Sequence, residues 1–172
     1  YYAFSLRTNL SDEYGNKLPV YFPSIGDYKY PGYPYLSILP VSFFGLNVFS
    51  TRFLSAFLGS LLCIVIYFLA VELFNRRVGI VASLLTAISP YSIMFSRGAY
   101  ESNVATFFVA LAILLLLLGL KRESLKISVF ALLSLLVSIF TYPAARVFLL
   151  LFLPFLYLTS SLAKEFSESK KS

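Results

Sequence analysis

Five long apolar runs constrain this chain more than any other feature. They cover roughly Phe53–Phe74, Val78–Met94, Val104–Leu120, Ile127–Tyr142 and Val147–Leu162. Each is near the approximately 17–25 residues that a helix needs to cross a bilayer. Composition agrees: 59% of the 172 residues are hydrophobic and 13% are charged, where a soluble domain carries roughly 25% charged residues. The expected fold is therefore all-α and integral to the membrane, with about five transmembrane helices. The last two runs are short, and Pro143 between them predicts a tight helical hairpin.

Several functions are excluded at once. The net charge is +6, but the basic residues are scattered between apolar runs instead of grouped on one face, so nucleic acid is not the partner. The absence of histidine removes His-based catalysis and His metal ligation. Cys63 is the only cysteine and sits inside an apolar run, so there is no disulfide framework. The chain opens on Tyr1 and its one methionine is Met94, so it is expected to be a fragment of a longer protein that lacks an N-terminal segment.

Residues 1–50 are expected to form a loop with short interfacial helices. Turn residues recur at Tyr14-Gly15-Asn16 and Ser24-Ile25-Gly26-Asp27. The stretch "YPGYPYLSILPVSFFGLNVFS" is apolar, yet Pro31, Pro34 and Pro40 argue against one straight span, and its tyrosines favour headgroup depth. Orientation comes from the connections. Basic clusters at Arg76-Arg77, at Lys121-Arg122 with Lys126, and at Lys164 with Lys170-Lys171 fall at alternate ends of the runs. By the positive-inside rule these ends, and a tail over 164–172, are cytoplasmic. The loop is then extracytoplasmic, on a multi-pass protein of the cell membrane.

The extracytoplasmic ends collect Asp12, Glu13, Asp27, Lys29, Arg52, Arg97, Glu101 and Arg146. Ionisable groups at membrane depth cost roughly 2.5–3.5 kcal/mol on insertion scales, so they face cavities or one another. Carboxylates beside arginines at a bilayer suit one reaction in particular. A carboxylate takes a proton from an acceptor, and arginines hold a phosphate leaving group through charge-assisted bonds. A lipid-linked phosphosugar would present that phosphate at this depth.

Plainer readings compete. Ser11 is a good N-cap and acids favour a first helical turn, which would explain Asp12 and Glu13 structurally. Arg97 and Glu101 are four apart and would pair on one helix, as would Glu72 and Arg76. Arg52 and Arg146 fit snorkelling anchors, and Lys29 with Asp27 fits loop structure. Asn9-Leu10-Ser11 matches a glycosylation sequon, a triplet common by chance.

Four blocks, "SDEYGNKLPVYF", "GDYKYPGYPYL", "FGLNVFSTRFLSAFLGS" and "ISPYSIMFSRGAYESN", together with the hairpin "FTYPAARVF", carry a resemblance. They are similar to the first half of membrane glycosyltransferases of the type C fold. The closest group is family 39, which includes dolichyl-phosphate-mannose-protein mannosyltransferases and related bacterial enzymes. The resemblance implies an inverting enzyme that uses a polyprenyl-phosphate-linked sugar as donor and a protein, lipid or glycan as acceptor. It further implies that Asp12 and Glu13 form the acidic catalytic motif, with Asp12 as base. Glu101, Arg97, Arg146 and Lys29 would bind substrate, the arginines meeting the lipid phosphate. No motif demands a metal or other cofactor, although some members of the wider class bind a divalent cation with these acids. Two rivals remain on the residues alone: a transporter or flippase, and a non-catalytic polyprenyl-lipid-binding protein. The charges sit at run ends and not at midplanes, which weighs against transport.

Overall fold

Stretches rich in Leu, Ile, Val and Phe with no internal proline make the two longest helices. The computed structural model describes residues 1–24 and 26–151. In chain order the elements are α1 (Tyr2–Asn9), β1 (Phe22–Ser24), β2 (Asp27–Lys29), α2 (Gly32–Leu36), α3 (Ile38–Phe44), α4 (Val48–Leu73), α5 (Arg76–Ile88), α6 (Pro90–Arg97), α7 (Glu101–Lys121) and α8 (Leu125–Thr141). A further helical stretch runs over 144–151.

Helices α4 and α7 have 26 and 21 residues, and both are long and apolar enough to cross a membrane. Asn47 starts α4 with a reciprocal cap: its Oδ1 accepts from Ser50 N at 2.8 Å and Ser50 Oγ accepts from Asn47 N at 3.3 Å. The run Val78–Met94, expected as one span, is divided. α5 and α6 meet at 54°, and together they make a third candidate span. The cause is Pro90, which has no N–H and forces Ser89 before it into extended backbone (φ −60°, ψ 125°). α8 has 17 residues and is apolar but shorter. Most of the expected fifth run, and the tail over 164–172, lie outside the described residues.

The proline-dense stretch gives two short helices, α2 and α3, in place of a span, as its sequence predicts. The expected loop before it contains α1 and a small antiparallel hairpin that pairs Phe22 with Lys29 and Pro23 with Tyr28.

Hydrogen bonds fix the helix directions. Asn103 Nδ2 donates to Ser55 O at 2.9 Å, and Lys121 Nζ pairs with Glu72 Oε2 at 2.9 Å. Sequence separations of 48 and 49 at the two ends show that α4 and α7 run parallel and in step. Glu72 therefore pairs across helices and not with Arg76 as expected, because α4 ends at Leu73 before Arg76 opens α5. α8 returns antiparallel along α7, with Ser134 Oγ donating to Phe108 O at 3.1 Å and Ser138 Oγ to Ala105 O at 3.2 Å. Without a hydrophobic drive between helices in lipid, close packing and such bonds hold the bundle. Leu58, Leu62 and Val65 of α4 pack on Val104, Phe107 and Leu114 of α7, and Tyr33 of α2 joins them. Gly59 lets α6 close on α4: a Cβ there would stand 2.0 Å from Ser96 Oγ.

The bundle therefore has two unlike ends. One gathers residues 1–50, the α6–α7 turn and the segment after α8, and is called the loop end below. The other carries Arg76, Arg77, Lys121, Arg122 and Lys126.

Candidate active site

The loop end begins with a tight turn built around one carboxylate. Asp12 is 3% exposed. Its Oδ1 accepts from Tyr14 N at 2.9 Å and from Asn16 N at 2.8 Å, and its Oδ2 accepts from Asn16 Nδ2 at 2.8 Å. Asp12 N returns a bond to Asn16 O at 3.0 Å. The Asn16 side chain, aided by backbone N–H groups, holds the Asp12 carboxyl below its ordinary range against the opposing effect of burial. No helix starts at Ser11, which bridges to Lys17 as paired backbone. Helix capping is therefore not what these acids do.

Glu13 beside it is exposed. Burial raises the Tyr2 hydroxyl pKa, and the charge of Glu13 raises it further. The Tyr2 hydroxyl donates to Pro23 O, and the buried Phe22 ring lies 4.9 Å from the Tyr2 ring and 6.1 Å from that of Tyr35. The acidic turn is thus joined through α1 and the hairpin to α2.

A second group forms around the segment from Lys29 to Tyr33. The Arg146 guanidinium lies over the Tyr30 ring, 4.7 Å from its centroid, while its Nε donates to Ile139 O at 3.3 Å. Tyr33 is buried between α4 and α7, and its hydroxyl donates to Thr51 O at 2.8 Å. Burial, and then the charge of Glu101, push that hydroxyl well above the usual tyrosine value. Gly32 makes the seating tight: a Cβ there would meet Thr141 Cα at 2.7 Å and Phe140 O at 2.9 Å. One short segment thus meets Arg146 through Tyr30 and feels the charge of Glu101 through Tyr33, with Lys29 at its start. Tyr30 and Tyr33, through which it does so, were not singled out by sequence reasoning. Their signal was the density of "YKYPGYPYL", which reads equally as an interfacial belt.

Arg97 precedes Glu101 by four residues. It ends α6, and Gly98–Tyr100 separate it from Glu101 on α7, so the two do not share a helix. It lines a groove between α4, α5 and α6.

Of two apolar grooves, the first is lined in part by Pro31 and Gly32 of the Lys29–Tyr33 segment. One of about 490 Å³ lies between Pro19, Val20 and Gly32 of the loop and Leu136 and Phe140 of α8. The other, about 480 Å³, follows α7 from Ser102 to Ile113 and has Tyr142 and Ala145 at its wall. Both are lined by hydrocarbon, and the second includes Ser102 and Ala145, the chain neighbours of Glu101 and Arg146. Among the described residues, no three of His, Cys, Asp and Glu come together as a metal-ligand set.

The family model for dolichyl-phosphate-mannose-protein mannosyltransferases matches residues 28–171. The chain belongs to this family. No curated protein and no solved structure matches it. Membership and the apolar helices make the chain a membrane protein of a glycosyltransferase family of the mannosyltransferase type. Within the mannosyltransferase match lie Lys29, Arg97, Glu101 and Arg146, while Asp12 and Glu13 precede it.

Proposed function

We propose that the chain contributes the loop end of an inverting glycosyltransferase that moves a sugar from a polyprenyl-phosphate donor to an acceptor on the extracytoplasmic face. One observation carries this reading: Arg146 over Tyr30, beside Lys29, and Glu101 acting on Tyr33 in the same segment. That group offers cations for a phosphate and a carboxylate for a sugar or acceptor, next to grooves that suit an isoprenoid chain.

In the proposed step an acceptor hydroxyl attacks the anomeric carbon while the bond from that carbon to the phosphate oxygen breaks. The electron pair leaves with the polyprenyl phosphate, which Arg146 and Lys29 stabilise. The acceptor proton goes to a carboxylate. Asp12 has three of its roughly four lone-pair sites occupied within its own turn, and its lowered pKa makes it a weak base. We therefore assign Asp12 to holding the turn ionised and in shape, Glu13 to accepting the proton, and Glu101 to orienting the sugar.

The test uses the full-length enzyme in membranes with a panel of polyprenyl-phosphate sugars, dolichyl-phosphate mannose among them. Glu13→Gln is expected to lower kcat by roughly 10²–10⁴-fold, and Arg146→Gln by roughly 10²-fold or more, at equal protein levels. Turnover that survives both substitutions would remove catalysis from the acidic turn and from the Lys29–Tyr33 segment alike. Transfer lost only in Asp12→Asn would return the base to Asp12.

A further inference from the structure

The last turn of α6 and the first turn of α7 are tied to α4 at one point. Ser55 is 0% exposed and Asn103 4%. Asn103 Nδ2 donates to Ser55 O at 2.9 Å and to Ser55 Oγ at 3.0 Å. Ser55 Oγ in turn donates to Phe95 O at 3.0 Å. Phe95 lies in the last turn of α6, where carbonyls lack partners within the helix, so Ser55 supplies one from outside. Gly59, one turn along α4, makes the room: a Cβ there would stand 3.0 Å from Asn103 Nδ2 and 2.0 Å from Ser96 Oγ. Two small residues four apart, Ser55 and Gly59, thus seat two helices on a third.

This joint matters more for direction than for stability. Hydrogen bonds between helices in membranes add little stability on average. The apolar contacts of α4 with α7, such as Leu58 and Leu62 with Val104 and Phe107, are non-directional. The Asn103 amide is not: a slide or rotation of α7 takes it from its acceptors and leaves it buried and unpaired. Moreover, α7 starts at Tyr100 without a side-chain cap, so the cap residue does not mark where the helix begins. Asn103 stands two residues after Glu101 in the same turn.

We propose that Asn103, held by Ser55, is a positioning residue that fixes the register and rotation of the first turn of α7, and so the place of the Glu101 carboxylate. This rests on the reading above in which Glu101 orients the sugar. Neither Ser55 nor Asn103 lines the two apolar grooves, and both act through Glu101 instead of touching substrate. Since a misplacement of about 1 Å can cost roughly 10²-fold in rate, a loosened joint is read in kcat.

The test is a double-mutant cycle on transfer by the full-length enzyme in membranes, with the donor panel above. Glu101→Gln is expected to lower kcat roughly 10²-fold, and Asn103→Leu, which keeps bulk and removes the donor group, roughly tenfold with KM nearly unchanged. In the Glu101→Gln background, Asn103→Leu should cost less than about twofold more, because its effect passes through that carboxylate. Ser55→Ala breaks the link to Phe95 O but keeps Ser55 O for Asn103. It should cost roughly threefold, and nothing further beside Glu101→Gln, and it decides the question if Asn103→Leu does not fold. Ser134→Ala, which cuts a bond from α8 to α7, should lower the thermal midpoint and leave kcat within about twofold. Unchanged kcat in folded Asn103→Leu overturns the proposal and leaves the transferase reading standing. Equal losses with and without Glu101→Gln also overturn it, assigning the joint to packing. Full kcat in Glu101→Gln, or no turnover with any donor, would remove the sugar-orienting role itself and this proposal with it.

Discussion

Asp12 shows how a single residue can satisfy a motif and yet be committed to structure. Its carboxyl lies below the ordinary value chiefly because the Asn16 side chain donates to it. A group whose pKa falls on folding lends stability that is present above its unfolded value, about 3.9 for Asp, and that is lost as pH falls through the folded value. The turn over residues 12–16 should therefore remain closed at about pH 4 and loosen only in stronger acid. Asn16→Ala removes the largest cause and keeps the backbone donors, so loosening should move to higher pH. Limited proteolysis of the loop across a pH series reads this directly, and an unmoved midpoint would discount the Asn16 side chain. The turn itself was legible from Tyr14-Gly15-Asn16. The commitment of the carboxylate was not, because Ser-Asp-Glu serves a helix start equally well. Arg146 was read as a candidate, but its contact with Tyr30 was beyond reach for another reason: it joins residues 116 apart, and nothing local encodes it.

At the scale of elements, the docking of α2 on α8 decides whether the loop end is assembled. Gly32 lies against the backbone of Phe140 and Thr141, and backbone cannot rotate away as a side chain can. Gly32→Ala should cost roughly 1–3 kcal/mol of stability and should lower donor transfer more than a substitution of equal cost in α5. Thermal unfolding and transfer assays on the same preparation separate the two effects; intact transfer in a destabilised protein would detach the α2 seat from function. Long elements were the most legible: α7 and α8 follow the runs Val104–Leu120 and Ile127–Tyr142, while α4 begins at Val48, five residues before the run Phe53–Phe74. The division of α5 from α6 was missed although Pro90 stands in plain view. Val78–Met94 has the length and polarity of a span, and one proline at its centre changes direction without changing composition. The hydroxyl bonds from Ser134 and Ser138 to α7 were likewise hidden, because small polar residues scattered in an apolar run carry no period.

For the whole molecule, the parallel pair α4–α7 sets a common polarity, with the loop at one end and the basic clusters at the other. The positive-inside rule then predicts that, in a Cys63→Ser background, a cysteine at Tyr14 reacts with an impermeant thiol reagent in intact cells. A cysteine at Glu123 should react only after permeabilisation. The reverse pattern would invert the orientation. The bend between α5 and α6 also sets the local depth of the bilayer. At about 1.5 Å per residue, 13 residues of α5 reach about 20 Å. The 8 residues of α6, turned by 54°, add only about 7 Å along that line. The pair spans about 27 Å where hydrocarbon is about 30 Å thick. α8, whose 17 residues reach about 26 Å, is no longer than the pair, so lipid beside either element has less height to cover than beside α4 or α7. The bilayer around such a bundle would be uneven in depth, shallower along α5–α6 and α8 than along α4 and α7, and a lipid moving round it would meet an undulating rim.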